Sequence, residues 1–220
     1  MRLIAIILLS FVYCQEEIII YENNFENDVG LEWNYSYVMD YNGSYILGNY
    51  ANVDLTLILN EIPLYNNITV EFDLYILDSM DGSEWGNSQD YISFLLNGST
   101  LLYTSFSNNP SGPQCYPDNC PASNPYYTGA VTSGLPSPYY FSMYSSLYRI
   151  ELSTTEFSEN LNFTIHPDLD ECYDGEWFCD NESWGIDNLI IKTTVLSGCT
   201  DESAYNFDAD VTLDDGSCVY

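Results

Sequence analysis

The pattern of this chain predicts an all-β fold, an antiparallel β-sandwich of the jelly-roll kind, on three observations. Apolar and polar residues alternate in short runs, turn residues separate the runs, and no stretch repeats with a helical period. Val53, Leu55, Leu57 and Leu59 form one such run, and Val70, Phe72, Leu74 and Ile76 the next. Ile92, Phe94 and Leu96 follow, then Tyr148, Ile150 and Leu152. In the run Leu161 to Ile165, Asn162 and Thr164 fall on the face opposite the apolar residues. Between Leu96 and Leu101 stands Asn97-Gly98, a strong hairpin signal because both residues tolerate positive φ.

Composition narrows the function. The 220 residues hold 33 Asp+Glu against three Lys+Arg, a formal net charge of −30. Neutralising a nucleic-acid backbone takes several cationic side chains, so no nucleic-acid partner is expected, and no docking on anionic membranes. A 46% hydrophobic content with 21 Tyr equally excludes a disordered chain. Such a protein repels anions and attracts cations.

The N-terminus reads as an export signal. Arg2 precedes the apolar run Leu3 to Val12, too short to span a bilayer. Residues 1–14 are the expected signal peptide, with cleavage before Gln15, and no membrane insertion is expected of the released chain. The remaining cysteines fall in three close couples, Cys115 with Cys120, Cys172 with Cys179, and Cys199 with Cys218. In an exported chain they are expected to be local disulfides. Sequons at Asn34, Asn42, Asn67, Asn97, Asn162 and Asn181 are the expected glycosylation sites. The expected location is secreted, or extracellular.

One segment breaks the strand rhythm. Ser107 to Ser146 is rich in Asn, Pro, Gly, Ser and Tyr, with the pairs Tyr126-Tyr127 and Tyr139-Tyr140. So long a connection is functional or disordered in most domains. Its tyrosines either line a recognition surface or fold the excursion back over the sheet.

A resemblance appears at the two ends of the predicted sandwich. Asn24-Phe25-Glu26-Asn27-Asp28 leads through Gly30 to Trp33, and Ser183-Trp184-Gly185-Ile186-Asp187-Asn188-Leu189 closes it. The pairing resembles the galactose-binding-like jelly rolls, which include carbohydrate-binding modules and MAM domains. Internal segments such as Phe72 to Ser79 and Gln114 to Pro117 resemble a family of secreted bacterial β-sandwich domains. The likeness spans about residues 18–193. It implies a structural Ca²⁺ held by Glu26 and Asp187. Independently, strict alternation puts Asp187 on one face with Leu189 and Ile191, where a buried carboxylate would need a partner. A second candidate is the loop carrying Asp78, Asp81 and Asp90, since Ca²⁺ takes several oxygens and clustered carboxylates around a Gly turn supply them.

Residues 198–220 resemble the short Gly-Cys-Thr-Asp…Asp-Asp-Gly-Ser-Cys modules found in secreted proteins. The expected division is a sandwich over residues 15–196 and a Cys-clipped acidic module over 197–220. In the module, Asp201, Asn206, Asp208, Asp214 and Asp215 offer oxygens, with Asp201 and Asp214 the candidate Ca²⁺ ligands.

No enzyme is expected. His166 is the single histidine and no triad forms around it in the sequence. Glu71-Phe72-Asp73-Leu74-Tyr75 begins like the E-x-D-x-E strand of jelly-roll β-glucanases but ends in Tyr, losing one essential acid. Two readings remain. In the first, Glu71, Asp73 and Tyr75 share the outward face of a strand and, with Trp85, bind carbohydrate; the partners are then glycans or extracellular proteins. In the second, the chain is a self-assembling subunit of an extracellular filament, coat or envelope, with strand Ile18 to Ile20 available for pairing between copies.

Overall fold

The computed structural model describes residues 14–83, 89–139, 144–156, 158–170, 172, 173, 175, 177–179 and 181–220. Most of the expected signal peptide and Trp85 lie outside the described residues. Among those described there is no helix, and the strands are β1 (Cys14–Asn23), β2 (Val38–Tyr41), β3 (Ser44–Tyr50), β4 (Leu55–Leu59), β5 (Asn67–Asp78) and β6 (Tyr91–Leu96). They continue with β7 (Ser99–Thr104), β8 (Ala130–Pro136), β9 (Tyr144–Thr154), β10 (Leu161–Asp168), β11 (Glu182–Gly198) and β12 (Leu213–Asp214). The larger sheet has the order β2-β3-β11-β5-β9-β8, with β1 and β12 also on β11; the smaller has the order β4-β10-β6-β7. Pairing is antiparallel except for β12 beside β11. The chain is an all-β sandwich, as its alternation predicts.

The core lies between the sheets. Phe72 of β5 meets Phe94 and Phe163 of the smaller sheet at ring distances of 5.6 and 5.7 Å. Trp184 of β11 is fully buried and donates its indole N–H to the Ala51 carbonyl at 3.0 Å, so its one polar atom is satisfied. Asn97 (φ 50°) and Gly98 (φ 83°) form the expected two-residue hairpin, and Asn42 (φ 53°) and Gly43 (φ 90°) form a second between β2 and β3. Disulfides join Cys115 to Cys120, Cys172 to Cys179 and Cys199 to Cys218, the three local couples.

The larger sheet is curled. Tyr41 on edge strand β2 donates its hydroxyl to the Pro136 carbonyl on edge strand β8 at 2.7 Å, so the two ends of the strand order meet. The outer face thereby closes over a second small core of Tyr41, Ile46, Tyr75 and Leu77. Gly48 and Gly185 let β3 and β11 approach within it: a Cβ on Gly48 would sit 2.5 Å from the Gly185 Cα.

β11 also departs from simple alternation. Asn188 has φ 51°, and the register against β5 shifts between Asp187 and Ile190. This bulge leaves Ile186, Leu189 and Ile191 all in the core, and sends Asp187 to the outer face. The expectation that Asp187 shares a face with Leu189 and Ile191 is corrected by it. From Glu182 to Gly198, β11 reaches about 50 Å at roughly 3.3 Å per residue. At its Glu182 end, β3, β5 and β8 finish and β9 begins. At its Gly198 end, β12 pairs with Ser197 and Gly198, and Asn66 fastens the C-terminal segment. The Asn66 side chain accepts from Leu196 N and Thr212 Oγ1, each at 3.0 Å, and donates to the Asp210 carbonyl at 3.1 Å.

Candidate functional site

Glu71, Asp73 and Tyr75 do alternate away from the core, yet the face they share is not an open groove. Glu71 is engaged by Lys192 Nζ at 2.7 Å. Asp73 is buried and takes Arg149 Nε and Nη2 on its two oxygens at 3.0 and 3.2 Å, and Asn188 Nδ2 at 3.0 Å. Tyr75 is 7% exposed and stands edge-on to Tyr41 at 5.6 Å. Burial, with Asp187 and Asp73 adding, pushes its hydroxyl pKa up to about 12. The curl of the sheet thus overturns the expectation of Tyr75 as an exposed ring for a sugar.

Glu26 and Asp187 are brought together around one hydroxyl. Ser44 Oγ lies 2.8 Å from Glu26 Oε1 and 2.9 Å from Asp187 Oδ2, and has one proton to donate between them. The Tyr45 amide donates to Glu26 at 2.9 Å and holds its pKa below the usual range. Burial raises the pKa of Asp187, despite donation from Ser44 and the Asn188 amide.

The acids after β5 divide between two places. Asp90 is fully buried; its carboxylate accepts from the Asp81 amide at 2.6 Å and the Asp170 amide at 3.3 Å. Carboxylate oxygens of Asp90, Asp170 and Glu182 lie within 4.8 Å of one another, with Glu182 also fully buried and Asp170 at the exposed rim. Burial pushes the Asp90 pKa up to about 7, and the Asp170 charge adds to it. Asp170 and Glu182 have no spacing relation to Asp90 in the chain, so the sequence offered no motif for them. Chemically, three hard carboxylates from separate segments, two of them removed from water, fit an oxygen-binding dication.

Asp78 and Asp81 instead line a neighbouring cavity of about 480 Å³, together with Asn109, Tyr126, Tyr127 and Tyr144. Asn109 Nδ2 donates to Asp81 at 2.9 Å, and Ser137 bonds Asp78. Tyr126 and Tyr144 are 39% and 56% exposed, and the Tyr126 and Tyr127 rings lie 4.9 Å apart. Two buried amides fix this wall. Asn108 Nδ2 donates to the carbonyls of Ile76 and Asp78 at the end of β5. Gln114 Oε1 accepts from the amides of Ser107 and Tyr127 and from the Tyr148 hydroxyl. The tyrosines of the excursion divide: Tyr116 packs on Phe106 and Tyr148 and folds it down, whereas Tyr126 borders the cavity.

At the same end of the sandwich, Trp177 is half exposed within the Cys172–Cys179 loop. Its ring meets Tyr37 at 5.7 Å and Phe178 at 5.8 Å, and its carbonyl accepts from the Ala51 amide. Nothing periodic marks Trp177; an aromatic pair inside a short disulfide loop was the available signal.

The C-terminal acids are held differently. Asp201, Asp208, Asp214 and Asp215 each accept from the amide two residues on. Asp201 also takes the Tyr220 hydroxyl at 2.6 Å, which is the leading cause of its lowered pKa. The Asn206 side chain clips Ser217 and Val219. His166 pairs with Asp54 at 2.6 Å, both more than half exposed. Of the sequon residues, Asn34, Asn42, Asn97 and Asn162 are exposed and Asn67 and Asn181 half-buried.

No family model matches the chain, and no curated protein matches it. Among solved structures, it is similar to the xylan-binding CBM22-1 domain of Xyn10C from Paenibacillus barcinonensis, at 14% identity and TM-score 0.36, over 80% of this chain and 94% of that one. A family 35 carbohydrate-binding module from an environmental isolate aligns at 6% identity and TM-score 0.29, over 82% and 92% of the two chains. Dimeric latent PorU from Porphyromonas gingivalis aligns at 10% identity and TM-score 0.41, over 83% of this chain; this chain spans 13% of that protein's length.

Proposed function

We propose that the chain is a secreted, non-catalytic protein of extracellular recognition that binds glycans through the tyrosine-lined cavity at the Glu182 end of the sandwich. The observation that supports this is the cavity's composition: exposed Tyr126 and Tyr144 rings beside carboxylate and amide acceptors, in a volume of about 480 Å³. Sugar sites combine an apolar platform with a few placed polar groups, and this volume is in the range of small-ligand sites. Export accords with three disulfides in a single chain. The exposed sequons at Asn34, Asn42, Asn97 and Asn162 would carry glycans without disturbing the core.

Calcium belongs to the same reading. Asp90, Asp170 and Glu182 would hold Ca²⁺, with water or backbone oxygens completing the shell. Glu26 and Asp187 would hold a second ion. In this reading the ion fixes the loops that carry the cavity, and does no chemistry on the ligand.

The test is a broad glycan array probed with wild-type protein and with the double variant Tyr126→Ala/Tyr144→Ala. Wild-type should retain glycan and the variant should lose it while melting at nearly the same temperature. A wild-type protein that retains none fails the reading. Filaments in electron micrographs would then favour the assembly alternative, for which strand β1 offers exposed Ile18 and Ile19.

A further inference from the structure

Resting on the reading of this cavity as a glycan site, we propose that its ligand is a sugar carrying a free ammonium group, an unacetylated amino sugar. Aromatic faces attract a cation held over them, and Tyr126, Tyr127 and Tyr144 all border the cavity. Asp78 and Asp81 border it too, and Asp81 is 8% exposed, so its charge acts in a poorly solvated setting where it is strong.

No positively charged side chain among the described residues lines this wall beside Asp81. Among the described residues, Arg149 and Lys192 are both engaged elsewhere, on Asp73 and Glu71. An ammonium brings three donors to a site rich in acceptors, and supplies the missing charge. A neutral N-acetyl group would leave the Asp81 charge without it. A uronate or sulfate would meet repulsion from the cavity and from a chain of net charge −30.

The experiment is calorimetric titration, in saturating calcium, of short oligomers of glucosamine, N-acetylglucosamine and glucose in one linkage, with choline as a fourth probe. The glucosamine oligomer should bind about ten-fold tighter than the other two, and its advantage should vanish above the pH at which its amine loses its proton. Asp81→Asn should remove that advantage. Tyr126→Ala/Tyr144→Ala leaves the net charge unaltered and should abolish binding of all three oligomers, so unchanged glucosamine binding in it would mean diffuse attraction to an acidic protein and overturn the proposal. Equal or tighter binding of the neutral oligomers would overturn it too, leaving the glycan reading intact. Choline binding tighter than the glucosamine oligomer would overturn the assignment to a sugar. No binding of any probe would count against both the proposal and the glycan reading. Melting of the Asp81→Asn variant near the wild-type temperature ensures that its loss is one of recognition.

Discussion

At the Gly198 end of β11, Asp201, Asp208, Asp214 and Asp215 each bond the backbone amide two residues further on. At the Glu182 end, Asp90, Asp170 and Glu182 arrive from three separate segments and converge, two of them fully buried. The first group is dense in sequence and dispersed in space; the second is the reverse. An Asp in a tight loop satisfies local amides cheaply, because its short side chain reaches the second N–H along. Clustered acids in a short segment are thus first of all turn formers. A buried carboxylate group requires a fold to assemble it, and then requires something to offset its charge.

The largest expected effect sharpens that contrast. A ligand bound to the folded state alone adds about 4 kcal/mol at a thousand times its dissociation constant, or roughly 8–16 °C for a chain of this size. Chelation of the calcium-loaded protein should lower its melting temperature on that scale. Asp90→Asn/Glu182→Gln should remove most of the response and leave only the smaller shift that a second ion at Glu26 and Asp187 supplies. A wild-type transition unmoved by confirmed metal removal would sink the calcium proposal.

The same cluster sets a pH dependence. Asp90 has its pKa raised from the ordinary 3.8 to about 7. The folded state therefore holds a proton that the unfolded chain releases, and the metal-free protein should lose stability as pH rises from about 4 to about 7. Asp187 and Asp81, also raised by burial, act in the same sense. Glu26, Asp201 and Asp215, held below the ordinary carboxylate range, act in the opposite sense and contribute fully only once pH has passed their unfolded values, at about 5. Bound calcium competes with the proton, so saturating calcium should flatten the decline, and Asp90→Asn should flatten it without calcium. Thermal melts across the window check this; a metal-free protein that gains stability there contradicts the assigned burial.

The same contrast shows what could be read in advance. Period-two runs such as Val70 to Ile76 place the core because a pleated strand has only two faces. The close cysteine couples and Asn97-Gly98 act locally, so spacing alone revealed them. The curl that buries Tyr75 depends on a contact between Tyr41 and Pro136, strands at opposite edges of a sheet. The bulge at Asn188 shifts one face of β11 by one residue, and nothing in the alternation announces it. Asp170 and Glu182 were invisible for the same reason: their relation to Asp90 exists only after folding.

The disulfides offer a third comparison, of about 2–3 kcal/mol each. By loop entropy, the bridge spanning 19 residues at the Gly198 end outweighs the one spanning seven at the Glu182 end, at about 3 against about 2 kcal/mol. Function should rank them the other way. Cys172→Ser/Cys179→Ser loosens the loop that holds Trp177 beside Tyr37 and links β10 to β11, and should weaken glycan and calcium binding together. Cys199→Ser/Cys218→Ser should release the C-terminal segment to proteolysis and leave both affinities unchanged. A loss of glycan binding in the second variant would show that the far end contributes to recognition after all.

The smallest expected effect is the most direct attempt to break the contrast between the two ends. Asp201→Asn and Asp215→Asn each keep a side-chain oxygen able to accept from the amide two residues on, but remove the charge. Both carboxylates lie in exposed loops, where charge is screened by solvent. If these acids serve as turn formers, the two variants should leave the global transition and its calcium response unaltered. Asp201→Ala and Asp215→Ala remove the acceptor as well. They should accelerate amide hydrogen exchange at Ser203 and Ser217, whose N–H groups bond Asp201 Oδ1 at 2.8 Å and Asp215 Oδ1 at 2.9 Å. Exchange elsewhere in the sandwich should stay as it is, because the amide bonds reach no further than their own turns and the further bond of Asp201, to the Tyr220 hydroxyl, stays within the C-terminal segment. Should the charge-removing pair instead abolish a calcium-dependent shift that Asp90→Asn/Glu182→Gln leaves in place, the assignment of the two ends would have to be exchanged, with the metal at Gly198 and the turn formers at Glu182.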